Sequence, residues 1–288
     1  MRLATIRTAS GPRAAVFQGG RYIDLQATDA ALPASVRQLL EQGPDALQAA
    51  AAAAASPKAV AIDAAKVQLL APIPDPPKIV CLGLNYRDHA AEGGQPIPKE
   101  PVLFSKYPTA LVGHEADIVL PPESSEVDYE AELVIVVGKG GRRIKADQAM
   151  SHVAGYTCGH DVSARDWQLK KDQKQWMAGK TFDTFAPCGP VIVTTEDMPD
   201  PHLSAISLRL NGKTMQNSNT NQMIFRVEQI VSYISQVITI EPGDLIFTGT
   251  PPGVGMAQKP NPVWLKPGDV CEVEIEGIGV LRNPVVGE

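Results

Sequence analysis

The stretch VDYEAELVIVVG, residues 127–138, constrains this chain more than any other. From Leu133 to Val137 every residue is large, apolar and mostly β-branched, the composition of a strand covered on both faces. Glu130 and Glu132 run straight into it. Residues i and i+2 of a strand point the same way, so both carboxylates leave one face, with Cα atoms roughly 6.5–7 Å apart. Like charges that close, at the edge of a core, repel and lose hydration. Either this strand end stays in water, or a hard divalent cation compensates the pair. DVCEVEIEGIG, near the C-terminus, shows what a solvated face looks like: Glu272, Glu274 and Glu276 alternate strictly with Cys271, Val273 and Ile275.

A magnesium-type ion takes a few carboxylates and keeps other positions for water and substrate, so a third acid should exist. GYTCGHDVSARDWQ, 155–168, offers Asp161, where an alternating strand runs into the start of a helix. Asp161 is then either that helix's N-cap or the third ligand. Arg165 and Gln168 follow one and two turns on, near the same side, and Asp166 reads as a solvated helix acid. GLNYRDHAAEGG, 83–94, places His89 and Glu92 at i, i+3, neighbours on a short helix. A carboxylate beside an imidazole orients it and stabilises its protonated form, as a general base needs; the same spacing is common on plain surface helices. The glycines after Glu92 let this segment move as a lid. FTGTPPGVG holds Thr248, Gly249 and Thr250, a loop able to donate hydroxyl and N–H bonds to a carboxylate or enolate. MAGKTFDTF carries Lys180, but a phosphate loop would need glycine where Lys174 stands. No GxSxG occurs, which disfavours a serine hydrolase.

The net charge is −6 and no basic stripe occurs, so nucleic acid is not an expected partner. No run approaches the roughly 20 apolar residues of a membrane span. Cys81, Cys158, Cys188 and Cys271 are scattered without a CxxC pair and read as buried reduced thiols. Residues 1–23 hold Arg2, Arg7, Arg13 and Arg21 and no acid, as a transit peptide would, yet they read better as a hairpin turning at Gly19-Gly20. The expected compartment is the cytoplasm. Residues 34–55 read as a helix pair broken at Gly43-Pro44, and the proline run 71–78 as a domain boundary. Strands dominate the remainder, without the βαβα alternation of a doubly wound fold.

GLNYRDHAAE, EPVLFSKYPTALVG, DYEAELVIVVGK, GYTCGHDVSARDWQ, GKTFDTFAPCGPVIV, NGKTMQNSNTNQMIF and PGDLIFTGTPPGVG stand in this order. Together they resemble the fumarylacetoacetate hydrolase family over about residues 72–288. VSARDWQ, GKTFDTF and SNTNQM are most similar to its fumarylacetoacetate hydrolase domain-containing protein 2 group. The resemblance implies an α+β fold: a mixed β-sandwich roll in residues 72–288, behind a small N-terminal α/β domain, residues 1–71. It implies Mg²⁺ or Mn²⁺ on Glu130, Glu132 and Asp161, a catalytic His89–Glu92 pair with Lys180, and substrate contacts from Arg165, Gln168, Gly249 and Thr250. It also implies a homodimer acting on a small 2-oxo or 1,3-dicarbonyl acid. The expected reaction is hydrolysis of a C–C bond in an acylpyruvate- or fumarylpyruvate-like acid. The alternatives are tautomerisation or decarboxylation of an oxaloacetate-like acid, and, third, metal binding without turnover.

Overall fold

Alternation in the first 24 residues folds as two tight hairpins. The computed structural model describes residues 1–288. Its N-terminal part forms strands β1 (Arg2–Thr8), β2 (Gly11–Gln18) and β3 (Arg21–Asp24), a single turn α1 (Leu25–Thr28), helices α2 (Val36–Gln42) and α3 (Pro44–Ala54), and strand β4 (Ala61–Asp63). The turn at Gly19-Gly20 and the helix break at Gly43 fall where the sequence places them. Pro44 opens α3, where its missing N–H is no loss.

The central part holds β5 (Ile79–Gly83), α4 (Arg87–Glu92), β6 (Val102–Lys106), β7 (Leu111–Val112), β8 (Ile118–Leu120), β9 (Val127–Asp128), β10 (Ala131–Val137), α5 (Ala146–Ala149), β11 (Val153–His160), β12 (Ser163–Ala164), α6 (Trp176–Lys180) and β13 (Ala186–Thr194). The C-terminal part adds β14 (Ala205–Leu210), β15 (Lys213–Asn219), α7 (Val227–Val237), β16 (Leu245–Phe247), β17 (Val270–Ile275) and β18 (Gly279–Gly287).

A large mixed sheet runs in the order β4-β3-β2-β1-β13-β11-β10-β16-β5-β6, with β7 attached to β13. A second sheet runs β15-β14-β17-β18-β8. Strand β10 lies at the centre of the first and is buried along its whole length. Leu133, Ile135 and Val137 join one apolar core, and Val134 and Val136 the core on the opposite face. This is the strand covered on both sides that its composition demands.

Two features depart from the sequence reading. After Asp161 the chain does not enter a helix; Ser163 and Ala164 first pair with Asp128 and Val127, and only a single π-turn, Asp166–Lys170, follows. Asp161 is therefore no N-cap. The backbone is drawn away by tertiary partners: Val162 N–H donates to Phe185 O, and Arg165 N–H to Glu126 O. Asp166 is not a free surface acid either, since it accepts from Ser124 and Ser125. The strands on either side of the proline run at 71–78 share one sheet, β1 pairing with β13 through Leu3 and Ile192.

Candidate active site

Strands β10 and β11 run antiparallel, with Glu132 opposite Gly159 and Ala131 opposite His160. The pairing extends one residue further, where Asp161 N–H donates to Glu130 O at 2.9 Å. Glu130 and Glu132 share a face by the period of the strand, and the register brings Asp161 to the same end. Ligand oxygens of the three all lie within 4.8 Å of one another, and all three residues are buried. An oxygen-only, acidic donor set of this kind suits a hard divalent cation.

The remaining charges are arranged around that cluster. Lys180 Nζ sits 2.8 Å from Glu130 Oε2 and 2.8 Å from Asp161 Oδ2. Arg165 donates from Nη2 to Glu130 Oε1 at 2.5 Å, from Nε to Asp128 Oδ2 at 2.8 Å and from Nη1 to Gln168 Oε1 at 2.8 Å. Lys106 Nζ donates to the carbonyls of Val162 (3.1 Å), Phe185 (2.7 Å) and Lys180. It also lies 2.7 Å from Asp161 Oδ1. An ammonium has three N–H bonds, and the three carbonyls take them all. Asp161 Oδ1 accordingly faces the charge without receiving a hydrogen bond, which leaves it open as a ligand.

Four buried carboxylates, Asp128, Glu130, Glu132 and Asp161, thus face three buried cations, Lys106, Lys180 and Arg165. The uncompensated charge falls on Glu132, whose only partner is the Gly249 N–H at 2.8 Å. Burial, then Asp161 and Glu130, push its carboxyl well above the usual range. Burial also works against ionisation of Glu130, but Lys180 and Arg165 overcome it and hold that carboxyl below the usual range. Lys180 is raised: burial opposes its charge, and Asp161 and Glu130 outweigh burial. A divalent cation at the cluster fits this balance, since it would meet both the bare Glu132 and the open Asp161 oxygen.

His89 and Glu92 lie on α4 with Nδ1 3.2 Å from Oε2. A carboxylate can only accept, so Nδ1 carries the proton and Nε2 is left as the basic atom. Glu92 in turn accepts from Gly253 N–H, in the loop that follows Thr250, which brings the pair to this side of the site. Helix α4 is fixed at its base by Asn85, which accepts from Phe225 N–H at 2.7 Å and donates to Thr248 O at 2.7 Å.

The structure therefore gathers Glu130, Glu132, Asp161, Lys180, Arg165 and Gln168 around one point, with the His89–Glu92 pair close by. Gly249 and Thr250 reach the same place but are occupied by protein: Thr250 Oγ1 donates to Ala131 O at 2.9 Å and accepts from Gln216 Nε2. Lys106, Asp128 and Gln216 escape the sequence reading. Asp128 carries a usable signal, the same two-residue spacing as Glu130 and Glu132. Lys106 and Gln216 carry none. All four cysteines are free and buried, as expected, and no helix is long and apolar enough to cross a membrane.

Glu130, Glu132 and Asp161 form an acidic group that could hold a metal ion, and residues 78–286 match the family profile "Fumarylacetoacetate (FAA) hydrolase C-terminal". The chain belongs to the fumarylacetoacetate hydrolase family. It is 51% identical over 268 residues to the mitochondrial oxaloacetate tautomerase FAHD2A of Homo sapiens, covering 93% of this chain and 85% of the relative. It is 49% identical over 290 residues to the mitochondrial oxaloacetate tautomerase fahd2 of Xenopus laevis, covering 99% of this chain and 90% of that one. Among solved structures, a fumarylacetoacetate hydrolase from Exiguobacterium antarcticum superposes with a TM-score of 0.84 at 35% identity, covering both chains completely. A 2-hydroxyhepta-2,4-diene-1,7-dioate isomerase from Mycobacterium marinum does so at 0.78 and 36%, covering 100% of this chain and 99% of its own.

These relatives overturn one expectation. The cytoplasmic assignment rested on reading residues 1–23 as a hairpin and not a transit peptide, whereas these relatives are named as mitochondrial. Two of the arginines at 1–23 also serve the fold: Arg2 donates to the carbonyls of Gly277 and Ile278, and Arg13 to Gln26.

Proposed function

We propose that the chain is a keto–enol tautomerase of an oxaloacetate-like 2-oxo acid, dependent on Mg²⁺ or Mn²⁺ held by Glu130, Glu132 and Asp161. The observation that carries the reading is the buried carboxylate trio with Glu132 left without a counter-charge. The relatives named as oxaloacetate tautomerases, at about half identity, support this reaction over hydrolysis.

A divalent cation bound there supplies Lewis-acid polarisation of the adjacent oxygens of a 2-oxo acid. The chain's own residues do the rest. Glu92 fixes the His89 tautomer, and Nε2 removes a proton from C3 of the keto acid. The C–H electron pair becomes the C2–C3 double bond, and the carbonyl pair withdraws onto O2. The Lys180 ammonium, with Arg165 behind it, faces the negative charge developing there. The His89 imidazolium then returns its proton to O2, giving the enol, and the reverse sequence regenerates the ketone. Lining groups that are already buried keep bulk water from competing for that proton.

The test follows the ultraviolet absorbance of oxaloacetate enol with Mg²⁺ and with EDTA. Wild type should speed its decay without releasing pyruvate or CO₂. His89→Ala should lose about 100-fold or more of that rate while still binding Mn²⁺. Release of CO₂ in step with the absorbance change, or an unimpaired His89→Ala, overturns the reading. The His89–Glu92 pair also favours a second reaction, deprotonation of a water that attacks an acylpyruvate carbonyl. Cleavage of acylpyruvates faster than enol turnover would select it.

A further inference from the structure

Asp128 is fully buried and accepts four hydrogen bonds, none of them used in the chemistry above. Oδ1 accepts from Tyr129 N–H at 2.8 Å and from Gly255 N–H at 2.6 Å. Oδ2 accepts from Arg165 Nε at 2.8 Å and from Met256 N–H at 3.1 Å. One carboxylate thus joins the guanidinium that grips Glu130 to the loop that follows Thr250. The same loop also holds the dyad on α4. Gly253 N–H donates to both oxygens of Glu92, at 3.0 and 3.2 Å, and Glu92 in turn orients His89.

The loop has little freedom to sit elsewhere. Gly253 has φ +100°, and a Cβ there would stand 2.2 Å from Met215 O. A Cβ on Gly255 would stand 2.0 Å from Val263 O and 2.5 Å from Asp128 Oδ1. Two carboxylates therefore hold one tightly wedged glycine loop from opposite ends, Glu92 from the catalytic helix and Asp128 from the metal cluster.

We infer that Asp128 is a positioning residue that registers the His89–Glu92 helix against the metal carboxylates through the loop 253–256. This rests on the tautomerase reading for its kinetic arm only. Asp128→Asn turns an acceptor-only group into one that presents an N–H to donors, so the loop loses its anchor.

The test has two arms. In metal-free protein without substrate, hydrogen exchange is followed at Gly253, Gly255, Met256 and residues 87–92. Asp128→Asn should speed exchange at both the loop and the helix by about tenfold or more, the loss of one charge-assisted bond. Glu92→Gln should free the helix and leave Gly255 and Met256 protected. In the kinetic arm, Asp128→Asn should lower kcat about tenfold or more with KM and Mn²⁺ affinity near wild type, and should add nothing in the His89→Ala background. Unchanged exchange at 87–92, a collapse of Mn²⁺ affinity, or a full additional loss in the His89→Ala background overturns the inference. Should Asp128→Asn fail to fold, Asp128→Ser, which leaves room for water, carries the same comparison. A wild type without tautomerase activity would remove the tautomerase reading and leave the exchange result standing.

Discussion

Glu132 meets no cation in a site otherwise built of ion pairs, and a proton or a metal ion must answer for it. Burial and its acidic neighbours raise its carboxyl well above the model-peptide value of 4.5. Such a group binds its proton more tightly folded than unfolded, so it weakens the fold progressively as pH rises from its unfolded pKa towards the folded one. Metal-free Glu132→Gln should therefore be more stable than wild type near neutrality. The gap should shrink as pH falls through 4.5 and vanish below it, where the carboxyl is protonated in both states. Urea midpoints across that range check this; a gap that is absent or independent of pH contradicts it. Lys106→Met has the opposite sign. It leaves the carbonyls of Val162, Lys180 and Phe185 without their donor. At about 1–3 kcal/mol for each buried group, the loss should reach about 3 kcal/mol or more by urea unfolding; a loss below about 1 kcal/mol would mean other donors replace the ammonium. At this scale the sequence is legible where chemistry follows strand spacing. Glu130 and Glu132 announce themselves by running into an apolar strand. Asp128 obeys the same spacing, its one local signal, but its partners Arg165, Gly255 and Met256 lie far along the chain. Lys106 simply ends a short strand, and its three acceptors come from segments 56 to 79 residues away.

Elements were readable where turn chemistry is local. The Gly19-Gly20 turn, the Gly43-Pro44 break and the alternating Cys271, Val273 and Ile275 all fold as their patterns dictate. The π-turn after Asp161 was not, because its helix-like sequence gives no sign that Ser163 and Ala164 will pair with Val127 and Asp128 first. Nor was the pairing of Arg2–Thr8 with Ala186–Thr194, which joins segments some 190 residues apart. That pairing has a consequence. Residues 72–288 expressed alone would expose the edge of β13 and strip the Leu3 side of one apolar core. We expect that fragment to aggregate or to unfold at a lower urea concentration than the whole chain. A soluble fragment of equal stability would contradict the dependence.

On the scale of the whole molecule, the proposed metal occupancy would be linked to folding. An ion that binds only the folded cluster adds RT ln(1 + [L]/Kd), about 2.7 kcal/mol at 100 times Kd. Mn²⁺ should therefore raise Tm, EDTA should reverse the rise, and Glu132→Gln should lose it. Thermal unfolding at several Mn²⁺ concentrations reads this directly, and an equal rise in Glu132→Gln would place the ion elsewhere.

The most direct trial is a crystal grown with Mn²⁺ and an oxaloacetate analogue, examined by anomalous scattering at the manganese edge. One strong peak should stand within about 2.0–2.3 Å of an oxygen from each of Glu130, Glu132 and Asp161, with analogue oxygens completing the shell. A peak that touches fewer than three of these carboxylates, or none in the cluster at all, would contradict the account.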